Sequence, residues 1–214
     1  MIDRAREPRW HAAIAVAVAV GLYIALPSGL TVGPRWVFPT IIILLVLPLI
    51  MLHRMGLHAV DRAFGFILNS VMTAQLIVSV ALLIGALPSR REPPASLLLS
   101  ATALWVVNVL VFALWYWRLD SGGPHRREAR ARHVSGAFLF PQMTIWRDER
   151  TPNAHHQWSP NFLDYLFVAF NTSTAFSPTD TPILARWAKL LTMLQAVISL
   201  TVLALLAARA VNLL

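Results

Sequence analysis

The sequence predicts an all-α protein, a polytopic membrane helical bundle with five transmembrane helices and a short re-entrant helix between the fourth and fifth. Three observations carry this. Hydrophobic residues make up 57% of the chain, charged residues only 13%, and the mean hydropathy is +0.61, values outside the range of a soluble domain. Long apolar stretches alternate with short turns that carry proline. Near the C-terminus a helical stretch too short to cross a bilayer precedes one long enough to do so. The whole of 1–214 reads as a single membrane domain: a four-helix part over 1–117, a polar loop over 118–160, and a re-entrant helix, loop and last helix over 161–214.

Residues 1–9 form a mixed-charge tail. The apolar stretch from His11 to Leu30 has the length of a span and no A-x-A site, and the tail before it contains acidic residues. It is therefore expected to be a retained helix rather than a cleaved signal peptide. The second helix is expected over Val37–Leu52, the third over Phe64–Leu87 and the fourth over Leu97–Trp117, each able to cross with modest tilt. Pro27, Pro34, Pro88, Pro93 and Pro94 mark the turns. There is no internal repeat, and the chain contains no cysteine, which excludes disulfides and thiolate metal sites.

In the C-terminal stretch, Ser159-Pro160 supplies a capping hydroxyl followed by proline at a first helical position. The helix expected from Asn161 to Thr172 is apolar nearly all round, with only Asn161, Asp164 and Asn171 polar. It lacks the broad polar face of a surface helix, and it spans roughly 18 Å at 1.5 Å per residue against a hydrocarbon core of about 30 Å. Thr172, Ser173, Thr174, Ser177, Pro178, Thr179 and Asp180 follow. The hydroxyls and Pro178 are expected to end the helix, and an extended return over Ser173–Asp180 covers roughly 26 Å. Asp180 or Thr181 then caps a last helix with Pro182 in its first turn, and Ile183–Leu214 is a full span. Non-helical backbone at membrane depth survives only when packed in protein or lining water.

The run Y-L-F-V-A-F-N-T-S-T-A-F-S-P-T-D resembles the pore helix and filter of potassium-channel-type proteins over about fifty residues. The C-terminal half, including A-L-W-Y-W-R-L-D-S-G-G-P and the final helix to V-N-L-L, is similar to a bacterial family of uncharacterised, ion-channel-like integral membrane proteins. The resemblance implies a re-entrant, pore-type helix and a cation path made by an oligomer, by analogy a tetramer. The filter glycines are replaced by Ala175, Ser177 and Pro178. Those glycines let carbonyls line a potassium pore, so potassium selectivity is not implied.

The net charge of +8 comes almost wholly from arginine. With the N-terminus cytoplasmic, the inner side holds Arg4, Arg6, Arg9, Arg54, Arg62, Arg118, Arg126, Arg127, Arg130, Arg132, Arg147, Arg150, Arg186 and Lys189. The outer side holds Arg35, Arg90, Arg91 and Arg209, a bias of 14 to 4. That favours a multi-pass protein of the cell (inner) membrane with its N-terminus inside. It explains the charge more simply than nucleic acid, which is not an expected partner. The re-entrant segment then enters from the cytoplasmic side, opposite to potassium channels: the loop is inverted, or the charge count misleads, or the segment is no pore. The basic run His125–His133 reads as a solvated juxtamembrane segment, or as one drawn to anionic lipid heads. Phe138, Phe140 and Trp146 are expected at the interface. His155-His156 has no completing ligand pattern, so no metal and no cofactor is expected.

Polar residues within the spans read mainly as interhelical hydrogen-bonding groups, above all Asn69, Thr73 and Asn108. Thr192, Gln195 and Ser199 share one face of the last helix, a stripe that also suits a pore-lining helix. The candidate ion-lining set is thus Thr172, Ser173, Thr174, Ser177, Thr179, Asp180, Gln195 and Ser199. Asp164 is placed to interact with its own helix N-terminus, and Asp180 either caps or forms a carboxylate ring at a cation entrance. Two functions are carried forward: a homo-oligomeric cation pore, passing a monovalent cation, and a non-conducting structural or accessory membrane protein. Enzyme motifs such as H-E-x-x-H, G-x-S-x-G and a phosphate loop do not occur, so no catalytic activity is expected.

Overall fold

The computed structural model describes residues 9–55, 57–86, 93–128, 136–145, 158–177 and 180–211. Among these the chain is all-α apart from one isolated antiparallel bridge, Phe138 with Ile183. The helices are α1 (Trp10–Ala25), α2 (Val37–Arg54), α3 (His58–Ala86), α4 (Pro94–Leu119), α5 (Pro124–Glu128), α6 (Gln142–Ile145), α7 (Phe162–Ala175) and α8 (Arg186–Val211). Three stretches are long and apolar enough to cross a membrane: Ala59–Ala86, Ala95–Gly122 and Arg186–Ala208. α1 and α2 are apolar but shorter. The 16 residues of α1 reach about 24 Å. α1 stops short of the expected Leu30 because Leu26 precedes Pro27 and is extended (φ −67, ψ 146), as the residue before a proline tends to be. Ser28–Leu30 then forms a single tight turn. α3 starts six residues before the expected Phe64, with Asp61 in its first turn, where a carboxylate favours the helix dipole.

α4 is the central helix and packs against α1, α3, α7 and α8, while α2 lies outside on α3. Val111, Phe112, Ala113, Leu114 and Tyr116 are all essentially inaccessible, as befits a helix that is apolar all round. One end of the bundle gathers Arg9, Asp61, Arg118 and His125; at the other, Ser79 Oγ donates to the Leu30 carbonyl at 3.0 Å.

α7 and α8 both begin at the Arg118 end. Trp117 packs edge-on against Phe162 (6.0 Å), and Phe138 bridges Tyr116 (5.0 Å) and Trp187 (6.4 Å). From there α7 runs back along α4 as far as Trp105, which packs against Phe170 at 5.8 Å and lies 3.5 Å from the Ser173 carbonyl.

Three local expectations are corrected. α7 is capped by Asn161, not Ser159. Asn161 is extended, its side chain accepts from Leu163 N at 2.8 Å, and Asp164 accepts from Asn161 N at 2.8 Å. Two reciprocal bonds outweigh what one serine hydroxyl offers, so Pro160 lies outside the helix. The hydroxyl run does not end α7. Thr172 donates to Val168 O (2.8 Å) and Thr174 to Phe170 O (3.0 Å), which satisfies the hydroxyls within the helix. The helix ends only at Phe176, held left-handed (φ 55, ψ 23), a conformation costing an ordinary residue roughly 1–2 kcal/mol. Nor do Asp180 and Thr181 cap the last helix. Residues 182–184 pair with 137–139 instead, Leu139 N donating to Pro182 O (2.9 Å) and Leu184 N to Ala137 O (2.8 Å). With those groups already bonded, α8 opens later, at Arg186.

Candidate functional site

The predicted site residues fall into two groups. Thr172, Ser173, Gln195 and Ser199 are completely buried, whereas Thr174, Ser177 and Asp180 are exposed. Thr179 lies outside the described residues, as do Pro178, Trp146 and His155-His156.

The buried group is a hydrogen-bonded cluster joining α4, α7 and α8. Gln195 sits at its centre: its Oε1 accepts from the Tyr116 hydroxyl at 2.5 Å, and its Nε2 donates to Ala169 O (2.7 Å) and Ser173 Oγ (2.8 Å). One helical turn along α8, Ser199 Oγ accepts from Asn108 Nδ2 at 2.7 Å, and the same nitrogen lies 3.3 Å from the Gln195 carbonyl. Thr192, the third member of the stripe, bonds back to the Ala188 carbonyl. All the polar atoms of the Gln195 amide except its lone-pair surplus are used, which an amide in an apolar interior requires. The stripe expected on the last helix thus faces α4 and α7 of its own chain, and Asn108 is the interhelical contact it was expected to be. Tyr116 was not singled out in the sequence, because in the run Leu114-Trp115-Tyr116-Trp117 it looks like one interfacial aromatic among several.

A second buried cluster fixes the start of α7. Asp120, fully buried directly after α4, accepts from Ala137 N through one oxygen and from the Tyr165 hydroxyl (2.7 Å) through the other. Arg127 donates to Trp117 O (2.8 Å) and Asp120 O (3.0 Å), and its guanidinium lies 5.1 Å from the Tyr165 ring centre. Arg127 was expected to be solvated or lipid-facing; instead the orphan carbonyls at the end of α4 draw it inward, where it satisfies what the helix terminus leaves open. The tight fit extends to Gly136, where a Cβ would meet Asp120 Oδ1 at 2.1 Å. The sequence signal for this cluster was available in Leu119-Asp120-Ser121-Gly122-Gly123, an acidic residue immediately after a long apolar helix.

The exposed group lies where α7 ends and the chain returns. Thr174, Phe176, Ser177 and Asp180 face outward, continuous with an exposed apolar stripe of Leu163, Phe167 and Phe170 along α7. No protein-family model, no curated protein and no solved structure matches the chain, so its function is read from its own residues.

Proposed function

We propose that the chain is a five-span membrane protein whose α7 is a re-entrant half-helix, and that several copies assemble with the α7–α8 connection lining a cation path. The carrying observation is the layout of the C-terminal third. A 14-residue helix, reaching about 21 Å, enters beside the end of α4; the chain then returns to pair Ile183 with Phe138, and α8 starts again from that end. In this reading the C-terminal end of α7, with its partial negative charge, points toward a cation at mid-depth. Thr174, Ser177 and Asp180, exposed on one chain, meet their counterparts on neighbours. Thr172, Ser173, Gln195 and Ser199 hold the half-helix in place from behind. A single chain supplies one loop, so conduction requires an oligomer. Arg9, Arg118, Arg126, Arg127, Arg186 and Lys189 lie toward one end, which supports a cytoplasmic location for that end.

The burial of that polar cluster favours one alternative, a non-conducting structural or accessory protein in which α7 is simply packed. Cation flux into proteoliposomes, read per correctly assembled oligomer, separates the two. The pore reading expects a conducting parent, reduced flux in Asp180→Asn through loss of charge at the entrance, and altered selectivity in Thr174→Ala through loss of an oxygen. A monomer in mild detergent, a silent parent, or two well-assembled variants that conduct like the parent would leave the packing role alone standing.

A further inference from the structure

A second charged cluster lies at the Arg118 end, away from the α7 return, and it joins parts of the chain far apart in sequence. His125 on α5 places Nε2 3.0 Å from Asp61 Oδ2 on α3. The guanidinium of Arg9, just before α1, faces both ring nitrogens, with Nη1 2.8 Å from Nε2 and Nη2 3.0 Å from Nδ1. Arg9 also pairs with Glu128 on α5 at 3.5 Å. Arg118 of α4 completes the surroundings: its guanidinium lies over Gly65, one turn beyond Asp61, where a Cβ would be 1.5 Å from Nη1. It is within Coulombic reach of both Asp61 and Arg9. Asp61 and Arg118 are both buried, and charges this poorly solvated are sensitive to any change in their balance.

The chemistry of the partners decides which protons the ring carries. A guanidinium has only donors and a carboxylate only acceptors. A proton on Nε2 donates to Asp61 and leaves Nδ1 as the one acceptor the ring offers Arg9, taken by Nη2, while Nη1 faces Nε2 as donor against donor. In that state the two arginines balance the carboxylates of Asp61 and Glu128. A second ring proton would remove that last acceptor, so that both ring nitrogens face the guanidinium as donors, at 2.8 and 3.0 Å, and two cations lie in contact, while attraction to Asp61 would grow.

We infer that His125 is a proton-controlled latch: neutral, it holds the start of α1 through Arg9; protonated, it releases Arg9 and keeps Asp61. The latch acts on α5, which Arg127 ties to the Asp120–Tyr165 cluster and so to the start of α7. It links the position of α1 to the pH on this side of the membrane without depending on the pore reading.

The absence of cysteine permits a direct test on the full chain in lipid nanodiscs. Spin labels at Trp10→Cys and Val60→Cys, both exposed, report the separation of α1 and α3 by double electron–electron resonance. The expected result is a narrow distance distribution at pH 8 that lengthens and broadens reversibly on acidification, within the range of about pH 5–8 where imidazole changes charge. His125→Gln, which keeps one acceptor and one donor but does not titrate, should hold the narrow distribution throughout. Asp61→Asn should move the transition down by about 1–2 pH units by removing the charge that favours imidazolium. Independently, the ring ¹⁵N shifts of His125 in the parent should report the Nε2–H tautomer at pH 8. A parent distribution unchanged between pH 8 and 5, a transition that survives in His125→Gln, or a ring already charged or protonated at Nδ1 at pH 8 would overturn the inference.

Discussion

Replacing Gln195 by leucine tests what holds α7 against the bundle. The side chains are similar in volume, so the change removes hydrogen bonds without opening a large cavity. Three bonds are lost, from Tyr116 and to Ala169 and Ser173. At about 0.6 kcal/mol each, the average for interhelical bonds in a membrane, they amount to about 2 kcal/mol. The Ala169 carbonyl keeps its helical partner, and Ser173 can turn to its own helix. The hydroxyl of Tyr116, wholly buried, keeps a hydrogen-bonding neighbour in Thr192, one turn before Gln195 on α8, so no group is left orphaned. The expected loss is therefore about 2 kcal/mol. It is measurable by reversible unfolding in mixed micelles, with α7 release followed by protease access near Phe176. Asn108→Leu, which removes the bonds to Ser199 and the Gln195 carbonyl, should cost about 1 kcal/mol. Thr201→Val serves as the comparison, because Thr201 bonds only within its own helix, and it should change stability by less than about 0.5 kcal/mol. Were Gln195→Leu to unfold within about 0.5 kcal/mol of Thr201→Val, the buried cluster would not be what positions α7.

Two further outcomes are expected. Asp120→Ala should destabilise by about 2–4 kcal/mol by orphaning the Ala137 amide and the Tyr165 hydroxyl. Asp120→Asn should cost less, since one oxygen still accepts and the amide nitrogen can donate to the tyrosine; thermal unfolding followed by tryptophan fluorescence separates the two. A reporter fused after Leu214 should be extracytoplasmic and one near Gly123 cytoplasmic, and a C-terminus found inside would overturn the five-span, N-in arrangement.

Some of the fold was legible because it depends on local sums. Composition and apolar run length place α3, α4 and α8, since the cost of exposing a peptide group to hydrocarbon falls on every residue alike and needs no partner. The shortness of α7 was equally plain, as was the pairing role of Asn108. Its ends were not. Asn161 prevailed over Ser159 because Asp164 returned a second bond, and Thr172 stayed helical because its hydroxyl found the Val168 carbonyl. Both outcomes turn on a few tenths to one kcal/mol between neighbouring backbone states. The convergences were less legible still.

Hydropathy and length act residue by residue, so the amino-acid order alone was enough for an all-α chain with helices long and apolar enough to cross a membrane and a shorter helix before α8. It takes the packed fold to bring Tyr116 to Gln195 79 residues on, Asn108 to Ser199 after 91, Asp120 to Tyr165 after 45 and Asp61 to His125 after 64. A polar group in an apolar interior is stabilised by a partner, but the sequence does not say which, and buried Asn69 finds none for its side-chain amide among the described residues. That choice is made by the way α4 packs against α1, α3, α7 and α8 at once, which fixes the few positions where a donor and an acceptor come within reach.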